Sequence, residues 1–384
     1  MLNPRNILLL IETSKAFGRK LLGGIGRYMA DGECDWAVYV EERGKRERLP
    51  TWISRFDGDG VIAHSPSPAA VQTLRSLKVP MVETDMCGMG QNVPVVYSDE
   101  NALVDTAIDH FLARGITQIA WCQLVNRAWC TFRRTALTRR LADRGLSLDA
   151  GYVPRRSRPM RWFDQRDELM RWLATLPHAT GVMCANDLCG TRLLEAARLA
   201  GVAVPEQVAV VGVDNDLVLC DLTWPPLSSV DQNAELIGYQ SAQLLHEMLS
   251  GSAAPSEPIW IAPSGVVTRR SSDIVAIGQP DVVAAVRYIR DHAFRGINVD
   301  DVRRHVPVSR SQLERLFRQH LGRSPRAEIQ RVRLDHAKRL LQGSHSMTEI
   351  ARRCGFSSSQ YFANVFRREF GMTPGQWRSR HRGG

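Results

Sequence analysis

The stretch Met347-Thr-Glu-Ile-Ala-Arg-Arg-Cys-Gly-Phe-Ser-Ser-Ser-Gln-Tyr-Phe-Ala-Asn-Val-Phe-Arg-Arg-Glu-Phe370 reads as a short helix, a turn at Gly355-Phe-Ser357, and a second helix from Ser358. Phe362, Val365, Phe366 and Phe370 fall on one face of that second helix. This is a helix-turn-helix pattern, and it occurs twice. The earlier copy runs from Val299 to Val306, turns at Pro307-Val-Ser309, and continues from Arg310 to Leu321 with Leu313, Leu316, Phe317 and Leu321 inward. One helix, from about Pro325 to Leu341, joins the copies and turns Ile329, Val332, Ala337, Leu340 and Leu341 toward both. Two reading helices in one chain predict a grip on double-stranded DNA that needs no dimer for each half-site. To enter successive major grooves on one DNA face they must lie ~34 Å apart, with DNA bending taking up any shortfall.

Capping residues punctuate these helices. Asn298 with Asp301, and Ser346 with Glu349, mark helix starts, the second as a capping box. Ser309 and Ser357 stand where the two reading helices need caps, and Ser324-Pro325 opens the connecting helix. The outward residues of the first reading helix are then Ser311, Gln312, Glu314, Arg315 and Arg318. Those of the second are Ser359, Gln360, Ala363, Asn364 and Arg367, with Tyr361 added to the DNA-contacting set. Arg315 suits guanine, Gln360 or Asn364 suits adenine, and Glu314 suits the cytosine amino group, at ~1–3 kcal/mol of discrimination for each good pair. Arg318, Arg367 and Arg368 are placed to hold phosphates, which fixes register without reading sequence.

Charge follows the same division. Residues 280–384 hold 21 Lys and Arg against 9 Asp and Glu, a net of +12, whereas the whole chain is +10 and the remainder therefore −2. Basic charge confined to one end is the footprint of a phosphate-binding module.

A chain of 384 residues, 44% apolar, is expected to hold two or three domains. No apolar run approaches the ~20 residues of a membrane span, and Leu8-Leu-Leu-Ile11 is too short for a signal-peptide core. The reading is a cytoplasmic protein with no membrane partner. Eight cysteines carry no C-x-x-C pair and no histidine at ligand spacing, so neither a zinc site nor a disulfide framework is indicated and most are expected to be buried small hydrophobes.

Before about residue 270, short apolar runs alternate with amphipathic helical stretches, as βα units around parallel sheets do. Strands are expected at Ile7–Ile11, Trp36–Val40, Gly60–His64 and Pro80–Glu83, then in a second series at Ile119–Cys122, Gly181–Cys184 and Val208–Gly212. Helices are expected at Lys20–Ala30, Asn101–Arg114, Thr131–Arg144 and Leu188–Ala200. Two series make a two-lobed α/β domain with a ligand cleft between the lobes. The expected division is 1–270 for this domain, a linker at 271–280, and an all-α tandem helix-turn-helix domain at 281–384.

Open parallel sheets bind ligands where their strands end. Candidate ligand residues there are Glu12, Ser14 and Arg19 after the first strand, Arg133 on a following helix, and Asn186, Asp187, Asp214 and Asn215 after later ones. Taken singly, an Asp or Asn in such a place commonly caps a helix. Together with Trp129, Trp162 and Trp224 they suit a polyhydroxylated small molecule, rings covering its apolar faces and Asp or Asn bonding its hydroxyls. Gly24-Ile-Gly26 lies inside a helix and fails the dinucleotide test, and no Walker, G-x-S-x-G or H-E-x-x-H motif occurs. No catalytic residue, cofactor or metal is expected.

The run Ile350-Ala-x-x-Cys-Gly-Phe-Ser-Ser-x-x-Tyr-Phe through Gly371-Met-Thr-Pro374, closing with Trp377-Arg378, resembles the AraC/XylS family DNA-binding domain. The first 270 residues resemble the LacI-type, periplasmic-binding-protein-like core, with Val211-Gly-Val-Asp-Asn-Asp216 at its ligand-binding strand end and no DNA-binding headpiece before the first strand. A sugar core ahead of an AraC-type module is the order found in bacterial xylose operon regulators. Further matches are Lys15-Ala-Phe-x-Arg19, Gly24-Ile-Gly-x-Tyr28, Gly58-Asp-Gly-Val-Ile-Ala63, Gly238-Tyr-Gln-x-Ala242 and Tyr288-Ile-Arg-x-His-Ala293. The resemblance implies a xylose-responsive transcriptional activator, a homodimer through its core, with RNA polymerase as a further partner. Glu12 and Gly18 stand where that family leads one to expect an amide and an acid. Three alternatives stay open: the same architecture responding to another pentose or hexose, a sugar-modifying enzyme with a DNA anchor, and a constitutive architectural protein whose core only dimerises.

Overall fold

Ile7-Leu-Leu-Leu-Ile11 is apolar at every position because its strand is covered on both faces, and all five residues are buried. In the computed structural model, which describes residues 4–32, 34–42, 49–65, 67–154, 161–273, 280–341 and 345–381, this segment is β1 (Arg5–Ile11), the centre of a parallel sheet. The chain forms two units, 1–273 and 274–384. In the first, β1 leads through α1 (Ala16–Ala30) to β2 (Trp36–Glu42), β3 (Gly60–Ala63), α2 (Pro68–Arg75), β4 (Met81–Glu83) and β5 (Val96–Ser98). The strands lie in the order β2-β1-β3-β4, and a bridge from Glu83 to Val95 brings β5 alongside.

A second lobe repeats the plan. It contains α3 (Glu100–Leu112), β6 (Gln118–Cys122), α4 (Ala128–Ala142), β7 (Leu148–Tyr152), α5 (Trp162–Leu173), β8 (Thr180–Cys184), α6 (Asp187–Leu199), β9 (Val208–Val213), α7 (Leu217–Leu222) and β10 (Ser228–Asp231). The chain then returns to the first lobe as α8 (Ala234–Leu249) and β11 (Ile259–Ile261), which pairs with β5, before β12 (Gly265–Val267) closes antiparallel on β10. The second sheet runs β7-β6-β8-β9-β10-β12. The chain therefore crosses between lobes three times, near Asp99, Gln232 and Ser264. Two backbone bonds of 2.9 Å tie the crossings together, Asp99 N–H donating to the Ile261 carbonyl and Ser264 N–H to the Asp231 carbonyl.

The first lobe is closed by α1 and α8, whose backbones touch at two glycines. A Cβ on Gly24 would lie 1.8 Å from the Glu235 carbonyl oxygen, and one on Gly238 would lie 2.0 Å from that of Leu21. Those contacts explain the glycine inside the helical G-x-G. At its other end the α/β unit runs further than the expected boundary. Ser271 and Ser272 are buried, the Ser271 hydroxyl donating to the Val210 carbonyl at 2.6 Å and Ser272 Oγ lying 2.7 Å from His110 Nε2. The segment expected as a linker from 271 thus begins as core, while 274–279 lie outside the described residues.

The C-terminal unit is all helical: α9 (Pro280–His292), α10 (Val299–His305), α11 (Arg310–Leu321), α12 (Pro325–Leu341), α13 (Met347–Arg353), α14 (Ser359–Phe370) and α15 (Pro374–His381). It has two cores. Ile329 and Val332 of α12 pack with Val286, Ile289, Leu313 and Phe317, whereas Leu334, Ala337 and Leu341 pack with Ile350, Phe362, Val365 and Phe366. One helix is thus a wall of both. Arg333 bridges them further, donating at 2.8 Å to the carbonyls of Ala293 and Ile297 and lying over the Phe356 ring.

The expected caps are mostly present. Asn298 and Asp301 form the reciprocal capping box, and Ser309 caps α11. Ser346 caps α13, but Glu349 turns to Arg353 at 2.8 Å instead of reaching back, so that box is half made. The cap of α14 is Ser358, one residue beyond the expected Ser357.

Two outcomes follow from this packing. Glu328 is buried; burial would raise its pKa, but hydrogen bonding to Arg331 and the charges of Arg331, Arg323 and Arg290 overcome it and hold it at about 2. A depressed carboxylate pKa adds stability above its unfolded value of 4.5 that is lost as pH falls toward 2, roughly 3 kcal/mol in all. In acid titrations followed by circular dichroism, Glu328→Gln should therefore be less stable at neutral pH and lack the loss between about pH 4.5 and pH 2. Gly355 combines φ +74° with a Cβ position 2.7 Å from the Ala293 carbonyl oxygen, whereas Gly371 has φ +70° and open space. Gly371→Ala should cost ~1–2 kcal/mol for the backbone alone, and Gly355→Ala clearly more. Hydrogen exchange of the α13 and α14 amides would measure both, and equal costs would refute the close-approach argument.

Candidate ligand cleft and DNA-reading face

Both lobes order their first parallel strands as 2-1-3-4-5, so each has a switch point, at β1/β3 and at β6/β8, where adjacent crossovers leave in opposite directions. A cleft of about 580 Å³, part of it open to solvent, lies where these strand ends face each other. Glu12, Lys15, Phe17 and Gly18 come from the end of β1 and the start of α1, His64 follows β3, and Tyr97 lies on β5. From the other side come Trp129 and Arg133 of α4, Asn186 after β8, Asp214 after β9 and Gln232 after β10.

Arg133 organises the floor. Its Nε and Nη2 donate to the two Glu100 carboxylate oxygens at 2.6 Å each, Nη1 donates to the Ala185 carbonyl at 2.6 Å, and Nη2 also reaches Gln232 Oε1 at 3.1 Å. Burial opposes the guanidinium charge, but Glu100 raises its pKa above even the ordinary arginine value. Because Gln232 accepts from Arg133, its amide nitrogen must face outward, and it donates to Asp214 Oδ1. Asp214 itself has φ +111°, a conformation that costs a non-glycine residue about 1–3 kcal/mol and clusters at functional sites. Lys20 Nζ holds it there by donating to the Asp214 carbonyl at 2.9 Å and to the Asp231 carboxylate at 3.1 Å.

Of the eight residues expected in the cleft, Glu12, Arg133, Asn186 and Asp214 line it. Ser14 and Arg19 do not. Ser14 is exposed and donates to Glu12 Oε1 at 2.6 Å, so it orients a lining residue, while Arg19 donates to the Thr13 carbonyl and leaves half its side chain in solvent. Asp187 and Asn215 are likewise absent from the wall. Asp187 is fully buried, accepting from Asp216 N–H at 2.7 Å and Ser229 Oγ at 2.6 Å, its pKa raised by burial and then by Asp214. Asn215 is spent on Asp231 and Arg269, at 3.0 and 2.9 Å. Both brace the β9–β10 ends. Asn186 does two jobs, lining the cleft and capping α6 by accepting from Cys189 N–H.

Lys15, Phe17, His64, Tyr97 and Gln232 also line the cleft, beyond the eight residues expected there. Lys15 and Phe17 lie in a run singled out in the sequence and His64 closes an expected strand, whereas Tyr97 lies on the three-residue β5 and Gln232 follows β10, neither of which was expected. His64 is fixed by the Thr84 carbonyl at 2.8 Å from Nδ1 and by Asp85 at 3.4 Å from Nε2. The Gly18 departure has a steric cause here, since a Cβ on it would sit 1.9 Å from the Glu12 carbonyl oxygen.

On the C-terminal unit, Ser311, Gln312, Arg315 and Arg318 of α11 are exposed, as are Gln360, Asn364, Arg367 and Arg368 of α14. Glu314 and Ser359 are half-buried, with Glu314 3.7 Å from Arg310. Tyr361 is turned the other way. Its hydroxyl accepts from Gln330 at 3.0 Å and from Arg326 at 3.5 Å, which lowers its pKa and pins α14 to α12.

Three family models match the chain: an XylR N-terminal domain over 6–95, a periplasmic binding protein-like domain over 108–272, and a helix-turn-helix domain over 303–380. The xylose operon regulatory protein of Escherichia coli K12 is 33% identical across 97% of this chain and 96% of its own length. That of Haemophilus influenzae Rd is 32% identical across 97% of each. The solved structure of the xylose-binding transcription activator xylR superposes with a TM-score of 0.80, at 32% identity over 98% of each chain. An α/β core of this type ahead of a tandem helix-turn-helix module, matched end to end, places the chain in the family of xylose operon regulatory proteins.

Proposed function

We propose that this protein senses D-xylose in the cleft between its lobes and reads operator DNA with α11 and α14. The observation that carries the ligand half is Asp214, held at a strained φ by Lys20 and Gln232 with its carboxylate beside the cleft, opposite Glu12. Carboxylates and the Asn186 amide accept and donate to ring hydroxyls, while Trp129 and Phe17 offer apolar surface to C–H faces. Ligand bridging Glu12 on one lobe to Asp214 on the other favours the closed state, and shifts the equilibrium only by its difference in affinity between the two.

The DNA half rests on the exposed Gln312, Arg315, Gln360 and Asn364, with Arg318, Arg367 and Arg368 on phosphates. The reading assigns regulation to the α/β domain, 1–270 together with the core residues Ser271 and Ser272, and DNA binding to 281–384. A homodimer through the core, activation through RNA polymerase and a cytoplasmic site of action complete the reading. Among the described residues no helix is long and apolar enough to cross a membrane.

Calorimetric titration of the full chain with xylose should give saturable heat near one sugar per chain. Asp214→Ala should lower affinity at least 100-fold, and Ser14→Ala, outside the cleft, only slightly. Heat from another pentose and none from xylose would change the ligand and keep the mechanism, and turnover of bound sugar would instead favour an enzyme. For DNA, binding sites selected from a randomised pool allow a second comparison. Gln360→Ala should cost ~1–3 kcal/mol on the selected site and relax preference at one position, whereas Arg367→Ala should weaken all sequences alike and reduce the salt slope by about one. Anisotropy across a salt series measures both, and a uniform loss in Gln360→Ala would remove it from base reading.

A further inference from the structure

Three cysteines far apart in sequence meet in the second lobe. Cys122 ends β6 and Cys184 ends β8, and the two are paired in register, so their side chains leave the sheet on the same face. Cys189 lies in the first turn of α6, its Sγ 3.5 Å from Cys122 Sγ and 3.2 Å from the Cys122 carbonyl oxygen. All three sulfurs lie within 4.8 Å of one another, and no residue of the three is more than 2% exposed. The expectation of no metal ligands came from spacing along the chain; the fold draws this set from two strands and a helix.

Packing alone accounts for buried cysteines, as it does for Cys130, but not for three sulfurs converging on one point. The point is the β6/β8 switch of the second sheet, a place where parallel sheets hold ligands. A metal bonded to three sulfurs at ~2.3 Å spaces them roughly 4 Å apart, within the observed limits. No imidazole or carboxylate joins the set among the described residues. Zinc would need a fourth ligand, or a water that this burial excludes, whereas a soft monovalent d10 ion is satisfied by sulfur alone.

We propose that Cys122, Cys184 and Cys189 form a closed three-sulfur site for a soft d10 cation, Cu(I) in the first instance, each ligating thiol passing its proton to solvent. The test uses reduced, full-length protein carrying Cys34→Ser and Cys87→Ser, which removes the two partly exposed thiols. It is titrated without oxygen against Cu(I) held by bathocuproine disulfonate, both folded and during refolding with the metal present. One equivalent should leave the chelator, and Cys184→Ala or Cys189→Ala should lower the affinity at least tenfold. X-ray absorption of the loaded parent should find three sulfur scatterers at ~2.3 Å, a readout independent of whether those variants fold. No transfer under either condition, equal transfer to the cysteine variants, or nitrogen and oxygen scatterers would overturn the site.

Discussion

The buried guanidinium of Arg133 is the constraint on which the α/β unit depends. Its partner Glu100 lies just past the first crossing between lobes, and its second partner Gln232 lies on the next crossing. A charge this deep is tolerable only with a bidentate partner and satisfied hydrogen bonds, because removing one member of a buried pair strands the other at a cost of about 3–5 kcal/mol. Arg133 therefore fixes where both crossings run. The same atoms orient the Gln232 amide, and through it Asp214, so hinge and ligand wall are one hydrogen-bonded object. In the proposed reading, a sugar contacting Asp214 would act on a residue already joined to both crossings.

Much of this was legible in sequence, for identifiable reasons. Ile7–Ile11, Ile119–Cys122 and Val208–Val213 are continuous apolar runs, which buried parallel strands require. The tandem helices were plainer still, since Leu313, Phe317, Phe362 and Phe366 keep helical spacing and Ser309 and Asn298 cap as sequence implies. What escaped was short or long-range. β5, β11 and β12 have three residues each, fewer than a period-two pattern needs to declare itself, and the pairing of β5 with β11 joins residues more than a hundred positions apart.

The site was half legible for a related reason. Acidic and amide residues were sought after strands, but sequence does not separate a side chain facing the cleft from one facing the sheet. Asp187 and Asp214 both follow strand ends; one is consumed by Ser229 and the Asp216 amide, the other stands at the opening. Arg133 looked like a ligand residue opening a helix. It lies instead in the second turn of α4, and its interior bonds explain its presence better than ligand contact alone.

In the C-terminal unit the controlling element is α12. Because its first half completes one core and its second half the other, the two reading helices cannot be re-spaced without emptying a core or bending a helix whose walls are already packed. Arg333 and the close approach at Gly355 oppose the remaining motion, a swing of one bundle about the other. A fixed spacing commits binding energy in advance: the protein loses little freedom on binding, and DNA of the wrong helical phase must deform to be read at both positions. With α11 and α14 reading bases as proposed, the two would discriminate jointly, since a site matched at one helix alone leaves the other's Arg and Gln side chains over unsuited base edges. Specificity in this unit thus begins in the apolar face of the connecting helix, which need touch no base.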